Sequence, residues 1–355
     1  MHPSAMHQNL NPYLDKLAQG QINPCRSTLQ IHGRVLEPED ADTPISLLDM
    51  HRWDLTPEQR IPLTTRDREF VLVPQFGAFT IQVDGGTIQL ERPNGPFDLY
   101  PGGGSNASAL YLPIRCQAQI SGEGELVAFS CPADRPGLPR LITTPETDSW
   151  SIGAAFWRHD RTDILLPGPI SQNLTLRELY LPAGHWADLP PATHDQVAYE
   201  ETEQGEALVE TNHEAIQYHR CRMAGPEIDP FVFATQNIML GERLRRSYLV
   251  HDGDAVAIPG GAYPTAACPF TDHIVIRAMA TPIGEPPVPI ARDLEIYDFL
   301  RLMEPFILGV NDPSLKPQVS RANLRAFCKL HDFGDLEASV LVGTLIEQGF
   351  DIVGG

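Results

Sequence analysis

Lysine is nearly absent from this chain of 355 residues. It occurs only at Lys16, Lys316 and Lys329, and arginine supplies the rest of the 26 basic side chains. A Schiff base and a P-loop each need a lysine amine, and no lysine lies between Lys16 and Lys316. The sequence therefore argues against both kinds of site in the body of the protein.

Positive charge as a whole is also scarce. The chain carries 46 acidic side chains against 26 basic ones, for a formal net charge of −20. Nucleic-acid binding depends on clustered lysine and arginine that neutralise phosphates. We therefore expect no nucleic-acid partner.

Long apolar runs and paired cysteines are missing too. No stretch reaches the ~18 apolar residues of a membrane span, and residues 1–20 lack the basic head and apolar run of a signal peptide. The six cysteines are scattered without a CxxC spacing, which is typical of reduced core thiols. We expect a cytoplasmic protein with no membrane partner.

Glycine and proline, in contrast, are frequent, with 28 and 33 copies, and they separate short runs with β character. The runs 78–83 and 174–181 are examples, and the Asp84-Gly85-Gly86 segment after the first is typical of a hairpin turn. Two successive sets of such runs predict an all-β fold with two barrels in tandem. The predicted domains are an N-terminal arm over 1–26, a first barrel over 27–140, a second barrel over 141–285 and a helical extension over 286–355.

The extension shows helical periodicity. Ser320 and Asp335 are expected N-caps, Gly349 is an expected C-terminal glycine, and Pro305 should kink or end the helix that contains it. The apolar faces of these helices need a partner, which would be the barrels or a second subunit. The predicted helices cover 291–309, 320–332 and 335–348.

Three segments of the second half carry a resemblance to a known family. They read Gly-His-Trp-Ala-Asp-Leu-Pro-Pro-Ala-Thr-His-Asp at 184–195, His-Glu-Ala-Ile-Gln-Tyr-His-Arg at 213–220, and Asp-Gly-Asp-Ala-Val-Ala-Ile-Pro-Gly-Gly-Ala-Tyr-Pro at 252–264. Their order resembles the 5-deoxyglucuronate isomerase family of inositol catabolism, whose members are bicupins related to uronate ketol-isomerases. The resemblance spans roughly 27–282 and implies tandem cupin barrels, with the helical extension outside it.

The resemblance also implies a divalent metal in the second barrel, held by a His-x-His pair, a glutamate and a final histidine. Carried over by position, the first histidine falls on Ala192 and the second on His194. The glutamate falls on Ala215, and the last histidine falls on Tyr263. A shift of one residue would recover the glutamate as Glu214.

At best two of the four family ligands survive, and a tight zinc site normally uses at least three. We therefore expect no metal or other cofactor. An alternative keeps a metal on the substitute ligands His185, His194 and Glu214.

Three residues are the candidate catalytic groups. His194 is a general base, a structural histidine or a remnant ligand. Tyr263 either donates a proton to a developing enolate or fills the space of the metal. Glu214 would pair with His194 if it points inward, and its neighbour His213 would then point outward. The alternative for Glu214 is an exposed position at a strand start.

Tyr218, Arg220 and Arg222 are the candidate substrate-binding residues. An inward arginine could hold a substrate carboxylate as a bidentate fork, although the same pattern fits a surface strand. The glutamates between 200 and 214 are expected to form a solvated acidic loop.

These observations leave three hypotheses for the function. The first is an enzyme descended from sugar-acid isomerases, acting by proton transfer on a small polar or carboxylated ligand in the second barrel, as an isomerase or a related lyase or epimerase. The second is a non-catalytic cupin that binds a ligand or a partner protein. The third retains a metal on substitute ligands.

Overall fold

The computed structural model describes residues 15–38, 40, 42–99, 104–202, 204–223, 233–240, 244–309 and 318–354. Within them the chain forms two antiparallel β-barrels in succession, followed by helices, so the predicted all-β tandem architecture with a C-terminal helical extension is confirmed. No helix in these ranges is long and apolar enough to cross a membrane.

The first barrel is a single sheet around an apolar interior that includes Trp53, Phe79 and Ile120. The predicted hairpin is present, because Asp84 and Gly85 both adopt positive φ, at 48° and 78°. The strands are β2 (Gly33–Leu36), β3 (Asp49–Leu55), β4 (Arg60–Thr64), β5 (Arg68–Val83), β6 (Gly86–Arg92), β7 (Ala109–Leu112), β8 (Gln117–Pro132) and β9 (Arg140–Ile142). They run in the order β2-β3-β8-β5-β7-β9, with β4 beside β8 and β6 beside β5.

The second barrel is built from a large sheet and a small one. The large sheet comprises β1 (Cys25–Ser27), β20 (Asp254–Ile258), β17 (Glu214–Met223), β22 (Thr271–Ala280), β12 (Leu174–Leu181), β11 (His159–Leu165) and β10 (Asp148–Ile152), in that order. The small sheet comprises β13 (Trp186–Ala187), β21 (Thr265–Ala267), β18 (Phe233–Leu240) and β19 (Leu244–His251). Strand β1 thus ties the end of the predicted N-terminal arm to the second barrel.

The two barrels share one apolar interface. It joins Val71 and Phe129 of the first barrel to Ile216, Tyr218 and Ile276 of the second. Because strand side chains alternate, the even-numbered residues of β17 face the first barrel and the odd-numbered ones face the interior of the second. This alternation decides which side chains can reach a site inside the second barrel.

Two buried glutamates connect the barrels, because each accepts hydrogen bonds from backbone amides of the other barrel. Glu214 accepts from the amides of residues 46–48 at 2.5–2.8 Å. Glu69 of the first barrel accepts from the amides of residues 172–174 at 2.7–2.9 Å, and from the hydroxyl of Tyr111. Each carboxylate therefore satisfies a run of amides that would otherwise be buried without partners.

The helical extension packs on the second barrel. Met303 and Leu341 join an apolar cluster around Trp157, which is fully buried. Between the barrel and the helices, β23 (Arg292–Asp293) pairs with β14 (Ala192–Thr193). The helices are α1 (Phe299–Gly309), α2 (Arg321–Leu330) and α3 (Asp335–Glu347). Two shorter pairs complete the structure, β15 (Ala198–Thr202) with β16 (Gly205–Glu210), and β24 (Gln318–Ser320) with β25 (Asp351–Val353).

The expected helix ends are partly right. The side chain of Ser320 accepts from the amide of Asn323 at 3.1 Å, so it is the N-cap of α2 as predicted. Asp335 is instead the first residue of α3, after the N-cap Gly334. Pro305 lies inside α1 and does not end it. Helix α1 starts later than predicted because the residues before it form β23 and a short 3₁₀ turn.

The glutamate bridge between the barrels gives a stability prediction. Glu214→Ala should lower the free energy of unfolding by about 3 kcal/mol, because three buried amides lose their acceptor. Glu214→Gln keeps one acceptor oxygen and should lose less. Chemical denaturation checks both, with the exposed Glu206→Ala as control. Equal stability of Glu214→Ala and the control would contradict the bridge.

Candidate functional site

The second barrel encloses a cavity of about 330 Å³. Its walls come from β11, β12 and β22 and from residues 289–304 of the extension. The chemistry-bearing side chains on the barrel side are His159, Arg161, Arg177, Arg277, Asp188, His213 and Tyr263. The cavity therefore lies in the barrel where the sequence places the site, although most of these residues are not the predicted ones.

Two of the three candidate catalytic residues meet beside this cavity. The His194 ring lies edge-on to Tyr263 with centroids 4.7 Å apart, and it stacks on His213 at 3.9 Å. Tyr263 and His213 line the cavity, whereas His194 is fully buried behind them. His194 Nδ1 donates to the carbonyl of His213 at 2.6 Å, and its Nε2 atom is buried without a partner.

Glu214 does not join them. Its carboxylate faces the first barrel, where it holds residues 46–48. The expectation of an inward Glu214 beside an outward His213 is thus wrong, because the alternation of β17 runs the other way. The alternative of an exposed glutamate is also wrong, since Glu214 is completely buried.

The candidate substrate-binding residues share the face of Glu214, and none of them lines the cavity. The Tyr218 hydroxyl donates to Glu125 at 2.6 Å. Arg220 bonds Asp252 at 2.8 Å, and the half-exposed Arg222 pairs with Asp272 on the barrel surface. Their hydrogen bonds therefore lie at the interface between the barrels and on the surface of the second barrel, away from the cavity.

The acidic stretch is only partly solvated. Glu200, Glu201 and Glu206 are exposed on the β15–β16 hairpin, and Glu203 lies outside the described residues. Glu210 is fully buried and accepts from the amide of Asp195 at 2.9 Å. The expectation of a solvated loop therefore fails at its C-terminal end, where the chain returns to the barrel.

The positive charge on the barrel side of the cavity comes from arginines that were not among the predicted site residues. Arg277 makes a two-pronged bond to Asp188, at 2.9 and 2.5 Å. Arg177 and Arg161 share Asp163, at 2.9 and 3.3 Å. The barrel wall thus sets three guanidiniums against two carboxylates.

A sequence signal for two of these arginines exists. Arg277 interrupts an otherwise apolar run over 274–280, and Arg177 stands in the apolar strand β12. They face each other in the register of β12 and β22. A charge inside an apolar strand points to a buried polar site.

Burial sets the protonation of the aromatic groups. It lowers the pKa of His194 to about 4. Burial also lowers the pKa of His213 well below its ordinary value, with further contributions from His194 and Arg177. The pKa of Tyr263 is raised by burial, although Arg277 opposes this. At neutral pH the imidazoles are therefore neutral and the phenol keeps its proton.

The hydrogen bonds around Thr211 favour one tautomer of His213. The Thr211 hydroxyl lies 3.0 Å from His213 Nδ1, and it both donates to and accepts from the backbone of Ile290. With the hydroxyl proton on the Ile290 carbonyl, Nδ1 must carry the hydrogen that bonds Thr211. We assign the lone pair to Nε2 on this basis.

The residues present do not fit the implied metal. Ala192 and Tyr263 line the cavity at two of the family's ligand positions, and neither is an imidazole. In the part of the chain that the structure describes, no group of three or more His, Cys, Asp or Glu is placed to hold an ion. The substitute set is not such a group either, since Glu214 faces the first barrel and His185 Nδ1 bonds the carbonyl of Arg158 at 2.8 Å.

The buried imidazoles predict a pH dependence of stability. Their folded pKa values lie below the unfolded value of about 6.5, so the unfolded chain binds more protons as the pH falls. The free energy of unfolding should therefore fall from about pH 6.5 down to about pH 4, the folded pKa of His194. The groups responsible are His159, His194, His213, His219 and His273.

Denaturation at a series of pH values measures this slope. His194→Gln should make it shallower, whereas the exposed His32→Gln should leave it unchanged. A wild-type slope in both variants would remove His194 as a source of the effect.

Comparisons with known proteins agree with the architecture. The model of the KduI/IolB family matches residues 26–287. Over 179 residues the chain is 25% identical to the 5-deoxy-glucuronate isomerases of Geobacillus thermodenitrificans and Geobacillus kaustophilus, covering 49% of this chain and 60% and 59% of theirs. The chain thus spans about three fifths of the length of these curated relatives.

Solved structures show the same fold. An IolB-like protein from Salmonella typhimurium LT2 has a TM-score of 0.67 at 23% identity, covering 79% of this chain and 99% of that one. The oxalate decarboxylase of Lactobacillus farciminis has a TM-score of 0.50 at 11% identity, covering 83% and 94%. The predicted bicupin fold is confirmed, and the match to the family model covers well over half of the sequence. This chain is a member of the KduI/IolB family.

Proposed function

We propose that the protein is a sugar-acid isomerase-like bicupin that moves a proton on a small carboxylated ligand in the second barrel, without the family's metal. The observation that carries this proposal is the cavity, which joins guanidiniums, a neutral imidazole and a protonated phenol. The curated relatives that are named as isomerases support the same reaction class.

The cavity can attract an anion although the chain is strongly acidic. A net charge of −20 repels anions at long range. The extension wall carries Arg301 together with Asp293 and Glu304. On the barrel wall, however, the three guanidiniums outnumber Asp163 and Asp188 by one, so the positive side of the cavity is the barrel side. Asp163 engages Arg177 through Nε, so a ligand carboxylate would take the Nη pair as a fork.

The proton transfer would use His213 and Tyr263. His213 Nε2 takes the hydrogen from the carbon next to the ligand carbonyl, and the electrons of the C–H bond move to the carbonyl oxygen. The Tyr263 hydroxyl donates a hydrogen bond to that oxygen as its negative charge develops. The hydroxyl proton on the adjacent carbon's oxygen then moves to the former carbonyl oxygen, and return of the abstracted proton to the former carbonyl carbon completes an aldose–ketose exchange. His194, stacked behind His213, is a positioning residue.

A non-catalytic ligand-binding cupin is the second candidate. The observation that favours it is the low pKa of His213, because a weak base abstracts a carbon-bound proton slowly. A lyase or epimerase would begin with the same abstraction, so these reactions share the first step of the proposal.

Proton exchange into D-glucuronate in D₂O, followed by NMR, tests the proposal. The wild type should exchange the proton next to the carbonyl. His213→Asn and Tyr263→Phe should each slow the exchange by about 100-fold or more, since each removes a proton-transfer or oxyanion group. Tyr199→Phe, on an exposed tyrosine, is the matched control and should retain the wild-type rate.

The outcomes separate the two candidates. Exchange that survives both cavity variants unchanged would remove His213 and Tyr263 from the mechanism. Wild-type binding of D-glucuronate without exchange would favour the non-catalytic cupin. A wild-type protein that neither binds D-glucuronate nor exchanges its proton would contradict the sugar-acid proposal.

A further inference from the structure

Arg277 is a charged residue inside an apolar strand. Only 5% of its surface is exposed, and its neighbours on β22 are hydrophobic. A buried guanidinium is costly unless it is paired and hydrogen-bonded. Asp188 supplies a two-pronged partner, and Gln217, with its amide oxygen turned to Arg277, accepts from Nη2 at 2.9 Å and Nε at 3.1 Å. The cation is therefore held rigidly.

The Arg277 guanidinium lies near the positions of metal ligands that the family has and this chain lacks. The guanidinium carbon lies 4.8 Å from the centre of the Tyr263 ring. Tyr263 occupies the position of the family's last ligand, and Ala192, at the first, lines the same cavity. The guanidinium thus lies against the residue at one position where that family places an imidazole, and it shares a cavity with the residue at another.

The charge acts on the groups around it. Arg277 adds to the effect of burial in lowering the pKa values of His194 and His213. It opposes burial at Tyr263. A cation that disfavours a proton on these imidazoles also disfavours a divalent ion beside them, since both carry positive charge in a poorly solvated site.

We propose that Arg277 takes the place of the metal, as a fixed cation that keeps divalent ions out of the second barrel and holds an anionic oxygen of the ligand. The first part depends on the position and the charge of the guanidinium. The second rests on the proposed function. Asp188 and Gln217 are the positioning residues, because they set the guanidinium against the cavity.

Cobalt binding to engineered variants tests the first part. Ala192→His/Tyr263→His restores imidazoles at two ligand positions beside His194 and is the common background. One derivative adds Arg277→Gln/Asp188→Asn, which removes the cation and its partner together. A second adds Arg277→Lys, which keeps the positive charge. Co²⁺ is titrated into each full-length protein and followed by visible absorption and calorimetry.

Removal of the cation should raise the affinity for Co²⁺ by at least about tenfold over the background, and the lysine derivative should bind as weakly as the background. Equal affinity in all three proteins, including no binding in any of them, would overturn the proposal. If the derivative with Arg277→Gln/Asp188→Asn does not fold, Arg277→Met/Asp188→Leu in the same background also removes the cation and its partner, with apolar side chains in their place.

Binding of D-glucuronate tests the second part. Arg277→Gln/Asp188→Asn in the otherwise wild-type chain should weaken binding by about tenfold, whereas Arg277→Lys should weaken it less. Unchanged affinity in both variants would refute the role in ligand binding. If the wild type does not bind the probe, the proposed function fails, and the cobalt titration still decides whether Arg277 excludes metal.

Discussion

Buried carboxylates between the two barrels determine the rest of the structure. Each of them is paired with donors from the other barrel, and the four are Glu69, Glu125, Glu178 and Glu214. An unpaired buried carboxylate would cost several kcal/mol, so these pairs tolerate no change of register. A slip of one residue in β17 would carry Glu214 away from residues 46–48 and into the second barrel. The same constraint turns His213 into the cavity.

The alternation of β17 explains which parts of the site the sequence could predict. A strand period of two puts Glu214, Tyr218, Arg220 and Arg222 on one face, and the structure has them there. It cannot show which face points into the second barrel, because both faces of this strand are buried by protein. Burial on one side only would have marked the inner face by its apolar residues. The fold was easier to predict, since turn residues bound the strands on both sides.

Contacts distant in sequence account for the other missed residues. Arg277 is explained by Asp188, which lies 89 positions earlier, and by Gln217. The tautomer of His213 depends on Ile290, beyond the end of the family match at residue 287. A local pattern carries no information on such pairs. An arginine within an apolar strand was nevertheless a readable sign, because its burial demands a partner.

The extension is therefore part of the cavity and not an addition to it. Residues 289–304 form one wall, and β23 covers the backbone at Ala192, where the family's first ligand falls. Glu304 accepts from the amide of Gly153 at 3.2 Å, which fastens α1 to the barrel near this wall. A substituted donor set, a resident guanidinium and a wall from the extension thus occur in the same place, and the proposed anion site depends on their combination.

The electrostatics of this cavity contain a trade-off. Arg177 and Arg277 would stabilise the negative oxygen of an enolate, which speeds proton abstraction. The same charges lower the pKa of His213, which weakens the base that abstracts the proton. The two effects are linked because base and enolate lie in one poorly solvated space. Net catalysis then requires a cation closer to the ligand oxygen than to His213 Nε2. The rigid attachment of Arg277 to Asp188 and Gln217 is the feature that could maintain such a difference in distance.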